Sequence, residues 1–160
     1  MFMDKQIPNI YNLLQEIAWH FGSHGINEEC CDDLSFVEFM ALKKVYENAD
    51  NSIQEIGNAL NFTKSGATRI IDRLENKGYV ARENSPIDGR VCCVSITAKG
   101  IEAISRIMEN YTIYLEDVLK EFEPQKLEQI RDTLEMMVNA VQQNKPFNLV
   151  TNTYKGGECC

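Results

Sequence analysis

Thr63-Lys64-Ser65-Gly66-Ala67-Thr68-Arg69-Ile70-Ile71-Asp72-Arg73-Leu74-Glu75-Asn76-Lys77-Gly78-Tyr79-Val80 is the stretch on which the reading of this chain turns. At about 100° per residue, Ala67, Ile70, Ile71 and Leu74 gather on one side of a helix and must face a core. Ser65, Thr68, Arg69, Asp72 and Asn76 gather on the opposite side, with Arg73 on its flank. The spacing predicts a helix from Lys64 to about Lys77, stopped by Gly78. Ahead of it, Ser52 and Glu55 form a capping box that opens a short helix with Ile53, Ile56 and Leu60 inward. Only Asn61, Phe62 and Thr63 separate the two helices, the geometry of a helix-turn-helix.

Outward from this pair, Tyr79-Val80-Ala81-Arg82 and Val91 to Ile96 read as two short strands. Glu83 to Arg90 joins them, with Pro86 and the Asp88-Gly89 turn signal. Towards the N-terminus, Ile10, Leu13, Leu14, Ile17 and Phe21 make one apolar stripe on a helix expected from about Pro8 to Phe21. A connection rich in glycine and acidic residues, Gly22 to Asp33, leads to a second capping box, Ser35 with Glu38. The helix it opens carries Phe36, Phe39, Met40, Leu42, Lys43 and Tyr46 and reads as largely buried. Thr97 caps a long helix running to about Phe122. Pro124, tolerated in a first helical turn, precedes a last helix with Leu127, Ile130, Leu134, Met137, Val138 and Val141. From Asn144 the chain is polar and ends in Glu158-Cys159-Cys160.

The 160 residues suit one domain of ordinary size, and 44% apolar residues can build a core. No apolar run is long enough to span a bilayer, and the first residues lack a charged-then-apolar leader, which argues against export. A cytoplasmic location is therefore expected, with the six cysteines as thiols or metal ligands before disulfides. A net charge of −8 is unfavourable for binding a polyanion. Its distribution answers the objection. Seven of the 16 basic residues but four of the 24 acidic ones lie between Asn61 and Gly100, a local +3 against −11 elsewhere. Screening over ~8–10 Å makes the local value the relevant one. A helix that shows short hydroxyls and arginines from its first turns suits the major groove of DNA.

The quoted helix, with Arg82, Asp88-Gly89-Arg90, Val91 to Ile96 and Thr97-Ala98-Lys99-Gly100, resembles the recognition helix and wing of the multiple-antibiotic-resistance regulator (MarR) family. The order of elements agrees from about Ile7 to Gln143. The resemblance implies a fold that is mainly α with a small β-wing, as a single MarR-like domain over 1–160. Within it, 34–97 would be the winged helix-turn-helix, 7–33 and 98–143 dimerisation helices and linker, and 144–160 a flexible Cys-Cys tail. It implies a homodimeric transcriptional regulator, a repressor, on double-stranded DNA with a pseudo-palindromic operator and no membrane partner. Thr63, Lys64, Ser65, Thr68, Arg69 and Arg73 would approach bases and phosphates. Arg90 would enter the minor groove with Asp88 orienting it, which is chemically sensible because narrow A·T grooves attract arginine.

The cysteines stand in three vicinal pairs. Strand alternation places Cys92 on the buried face with Val94 and Ile96, and Cys93 on the exposed face with Ser95. Cys30, Cys31, Cys159 and Cys160 lie in polar segments that give no packing reason for cysteine. As thiolates they suit a thiophilic metal or metalloid ion, with His20 and His24 as lesser ligands, or a redox switch. The third alternative is that these four cysteines have no functional role. The histidine sites of zinc-responsive members of the resembled family have no counterpart after the wing here. A small aromatic or phenolic ligand in a cleft near Trp19, Phe39 and Tyr46 is the alternative signal. A winged-helix module that binds protein and not DNA is the alternative class, and it would show an apolar or acidic helix face. Enzyme signatures such as a phosphate loop, H-E-x-x-H or a nucleophile elbow are missing, so no enzyme is expected.

Overall fold

The computed structural model describes residues 3–23, 33–48, 51–84 and 92–144, without the side chains of residues 3–5, 23, 84 and 92. In chain order these form α1 (Met3–Ser23), α2 (Phe36–Glu47), β1 (Asn51–Ser52), α3 (Ile53–Ala59) and α4 (Lys64–Asn76). Then follow β2 (Val80–Asn84), β3 (Cys92–Ile96), α5 (Ala98–Leu119) and α6 (Pro124–Gln143). Two units are distinguished, Met1–Leu115 and Glu116–Cys160.

The first unit has a core of Leu34, Ala41, Leu42, Val45, Ile56, Ile70, Ile71, Leu74, Tyr79, Val80, Val94, Ala103, Ile104 and Ile107. Both capping boxes form. Ser35 N–H donates to Glu38 Oε2 at 2.8 Å and Ser52 N–H to Glu55 Oε2 at 2.7 Å. The turn between α3 and α4 places Asn61 in the left-handed region, φ 56°, which asparagine tolerates better than branched residues. Phe62 N–H closes the turn on Gly57 O at 2.8 Å. At the other end of α4, Gly78 takes φ 80°, the left-handed stop expected of glycine.

The sheet is antiparallel in the order β1-β3-β2. The two-residue β1 was not foreseen, because Asn51-Ser52 has no strand pattern of its own. It makes β3 a central strand, with Cys93 between Ser52 and Glu83. The expectation that Cys93 is exposed is thereby overturned: it is 6% exposed beside a fully buried Val94. The side chain of Cys92 is not among those described. A second correction concerns α2. Its inward face is Glu38, Ala41, Leu42 and Val45, while Phe36 and Tyr46 are about half exposed.

The described residues of the second unit form the end of α5 and α6, with Pro124 in the first turn of α6 as expected. None of the residues of α6 is buried. Leu127, Leu134, Val138 and Val141 stand exposed on it. In the first unit the stripe of α1 is exposed as well, through Ile10, Leu13, Leu14 and Ile17. Among the described residues no helix is long and apolar enough to cross a membrane.

Candidate nucleic-acid interface

The recognition candidate α4 is amphipathic as the sequence requires, with Ala67, Ile70, Ile71 and Leu74 buried. Thr63 is its N-cap, its hydroxyl accepting from Gly66 N–H at 3.2 Å and lying 3.2 Å from the Ser65 hydroxyl. Thr68 donates its hydroxyl hydrogen to Lys64 O at 2.9 Å, which leaves the oxygen's lone pairs available to an outside donor. Thr63, Lys64, Ser65, Thr68 and Arg69 line one shallow depression over the first turns of the helix. Uncompensated backbone N–H groups and the positive end of the helix dipole add to the two cations there. The surface offers donors and acceptors together, which reading base edges requires.

The other described basic residues of this region, Arg73, Lys77, Arg82 and Lys99, make contacts within the protein. Arg73 Nε donates to Glu38 Oε1 at 3.0 Å, and Lys77 Nζ donates to Glu38 Oε2 at 3.0 Å and also to Asp33 O. On the opposite flank Arg82 of β2 bridges Asp72 and Glu75 of α4, reaching Glu75 Oε2 at 2.7 Å. Lys99 donates to Lys77 O at 2.7 Å and lies over the Tyr79 ring. Sequence reasoning missed these ties. The signal for Arg82 was present, since Asp72 and Glu75 are three apart on α4 and so project from neighbouring turns. Burial works to raise the Glu38 carboxyl, but the Ser35 N–H and Lys77 outweigh it and hold it below the usual range. The Tyr79 hydroxyl, 2.7 Å from Asp33 Oδ1, holds the Asp33 carboxyl low.

Residues 34–92 match the family model described as the MarR family. The transcriptional repressor MprA of Escherichia coli K12 is 32% identical over 127 residues, spanning 76% of this chain and 68% of MprA. The chain belongs to the MarR family.

The HTH-type transcriptional regulator MhqR of Bacillus subtilis is 27% identical over 124 residues, 77% of this chain and 80% of MhqR. Streptococcus pneumoniae FabT, solved in complex with DNA, matches with a TM-score of 0.77 at 19% identity, over 88% of this chain and 100% of FabT. That likeness is one of fold. Family and relatives together make this MarR-family chain a DNA-binding transcriptional regulator with a winged helix-turn-helix.

The remaining expected sites fare unequally. Asp88 and Arg90, expected to reach the minor groove, lie outside the described residues, as do Cys30, Cys31, Cys159, Cys160 and His24. His20 lies in the last turn of α1. Among the described residues no group of three or more His, Cys, Asp or Glu side chains is placed to hold a metal ion. A cavity of about 220 Å³ does open in the first unit, lined by Phe21, Phe36, Phe39, Lys43, Met108 and Tyr111. Tyr111 ties it together, with its ring 6.1 Å from Phe21 and 6.5 Å from Phe39 and its hydroxyl donating to Phe21 O at 3.2 Å. Of the three aromatic residues expected at a ligand cleft, only Phe39 lines this one. Trp19 is 69% exposed and Tyr46 46%.

Proposed function

We propose that this MarR-family regulator is a homodimeric repressor that reads a pseudo-palindromic operator through Thr63, Lys64, Ser65, Thr68 and Arg69 in the major groove. Asp88 and Arg90 complete the contact in the minor groove. The observation that carries the reading is the depression over the first turns of α4, where these five side chains meet. A protein-docking face would be apolar or acidic at this place, and here Lys64 and Arg69 are exposed cations. The dimer is supported by the apolar residues of α1 and α6, which are left open to water in the single chain. A second copy covers such surface at a gain of ~25 cal/mol per Å². Arg69→Ala tests the contact. It should cost ~1–3 kcal/mol at one base position if the guanidinium makes a bidentate base contact, and relax preference there. Wild-type affinity and specificity in that variant would move the DNA surface elsewhere.

For the signal sensed, the cavity around Tyr111 favours a small aromatic or phenolic ligand. Its walls are aromatic or apolar apart from Lys43, whose ammonium suits a phenolate or carboxylate oxygen. Operator release by such ligands, abolished by Tyr111→Ala with DNA binding retained, is the expected result. Equal release from the variant would place the ligand elsewhere.

A further inference from the structure

Glu38 is the only charged residue buried among the described ones, at 3% exposure. Its place in the capping box does not explain this. The other capping-box carboxylate, Glu55, serves Ser52 in the same way from an exposed position. Capping needs one acceptor oxygen, and glutamine supplies that without a buried charge. What Glu38 has in addition is two cations from 35 and 39 residues away, Arg73 on α4 and Lys77 at its C-cap. Oε1 receives Arg73 Nε, and Oε2 receives both Lys77 Nζ and Ser35 N–H.

Arg73 in the last turn of α4 and Lys77 at its C-cap stand four residues apart, about one helical turn. Two bonds from one carboxylate to successive turns restrain both the rotation of α4 about its axis and its slide along α2. The apolar contacts of Ala67, Ile70, Ile71 and Leu74 are not directional and do this less well. Rotation and slide are the variables that aim Ser65, Thr68 and Arg69. On the other flank Arg82 restrains the same helix through Asp72 and Glu75. We propose that Glu38 is a positioning residue for DNA recognition, holding α4 in register on α2 and tying up the Lys77 ammonium and the Nε of Arg73, whose side chain otherwise stays 54% exposed. The proposal rests on the DNA-binding reading. It gives Arg73 a role other than the direct contact that the sequence pattern suggests.

Two variants of the full chain separate this role from plain stability. Affinity for an operator duplex and for an unrelated duplex is measured against salt concentration, where each phosphate contact contributes ~0.9 to the slope of log K against log salt. Arg73→Gln should leave the slope on unrelated DNA unchanged and lower the ratio of operator to unrelated affinity about tenfold, the weight of roughly one base contact. Glu38→Gln retains the cap but releases both cations, so the same slope should steepen by ~1–2 as the ratio falls. A slope shallower by ~1 in Arg73→Gln would make Arg73 a phosphate contact and overturn the proposal. So would a Glu38→Gln protein that loses thermal stability but keeps wild-type slope and ratio. Amide exchange on the free proteins supplies the check that needs no DNA. Glu38→Gln should lose protection over residues 73–77, and unchanged protection there refutes the clamp. A wild type that binds neither duplex would instead refute the DNA reading, leaving the exchange result to decide the clamp.

Discussion

Gly100→Ala is a perturbation whose cost can be worked from the geometry. Gly100 lies in the first turn of α5, and its N–H donates to the Thr97 hydroxyl at 3.1 Å. A Cβ there would sit 2.2 Å from Tyr79 O and 2.7 Å from Ile96 Cγ1. Carbon–oxygen contacts are ordinarily no shorter than ~3.3 Å, so α5 and Tyr79, the residue before β2, would have to part by roughly 1 Å. Tyr79 O accepts from Thr97 N–H at 3.0 Å and from the Thr97 hydroxyl at 3.1 Å, and those bonds would stretch with it. Overpacking of this kind costs ~1–3 kcal/mol, and a weakened buried hydrogen bond adds ~1 kcal/mol. Alanine's better helix propensity offsets ~1 kcal/mol. The net is a destabilisation of about 2 kcal/mol. At ~2–4 °C per kcal/mol for a chain of this size, Tm should fall by about 4–8 °C. Thermal and urea unfolding at one fixed protein concentration measure it, since a dimer's Tm depends on concentration. Gly22→Ala on α1, where a new Cβ meets nothing within 4 Å, is the control and should be neutral or stabilising by up to ~1 kcal/mol. A Gly100→Ala protein as stable as the wild type, or more so, would refute the close approach of α5 to Tyr79.

Acid should weaken the first unit through Glu38 and Asp33. Both carboxyls are lowered in the folded protein from ordinary values of 4.5 and 3.8, so their contribution is complete above about pH 4.5 and is lost as pH falls through the folded values. Urea midpoints from pH 7 to 3 should show this, and Glu38→Gln should flatten the fall. Arg90→Ala should weaken binding to all sequences and reduce the salt slope by ~1, as a wing contact governed by charge and groove shape does, whereas an unchanged slope would remove Arg90 from the interface. Deleting Gly156 to Cys160 tests the thiol reading. If Cys159 and Cys160 help hold a thiophilic ion or form a redox switch, the shortened chain should keep operator affinity and lose its response to such ions or oxidants. An undiminished response would exclude the tail from sensing.

The helix-turn-helix was legible because its decisive features are local. The inward set of α4, both capping boxes, the Gly78 stop and Pro124 at the head of α6 each follow from spacing within a few residues. What was not legible involves partners far apart in sequence. β1 exists because Asn51 and Ser52 pair with Val94 and Cys93, and nothing in two polar residues announces that. Cys93 was misplaced for this reason, as alternation assigns faces but cannot tell an edge strand from a central one. The exposed face of α4 was read correctly as polar, but the wheel cannot say which cations are engaged within the chain. Arg73 and Lys77 at Glu38, and Arg82 at Asp72 and Glu75, are set by tertiary contacts. The ligand cleft shows the same limit: Phe21, Phe36 and Tyr111 meet there from three different helices, and no window of sequence contains all three.

The central claim is that the two recognition helices of a dimer read one DNA site with two-fold symmetry. Selecting bound duplexes from a randomised pool with the purified full-length protein, then footprinting the winner and measuring its stoichiometry, tests it most directly. The account predicts a pseudo-palindrome bound by two chains, with half-site centres about one helical turn apart, ~34 Å. Selected sequences without a dyad, or one chain bound per site, would contradict it.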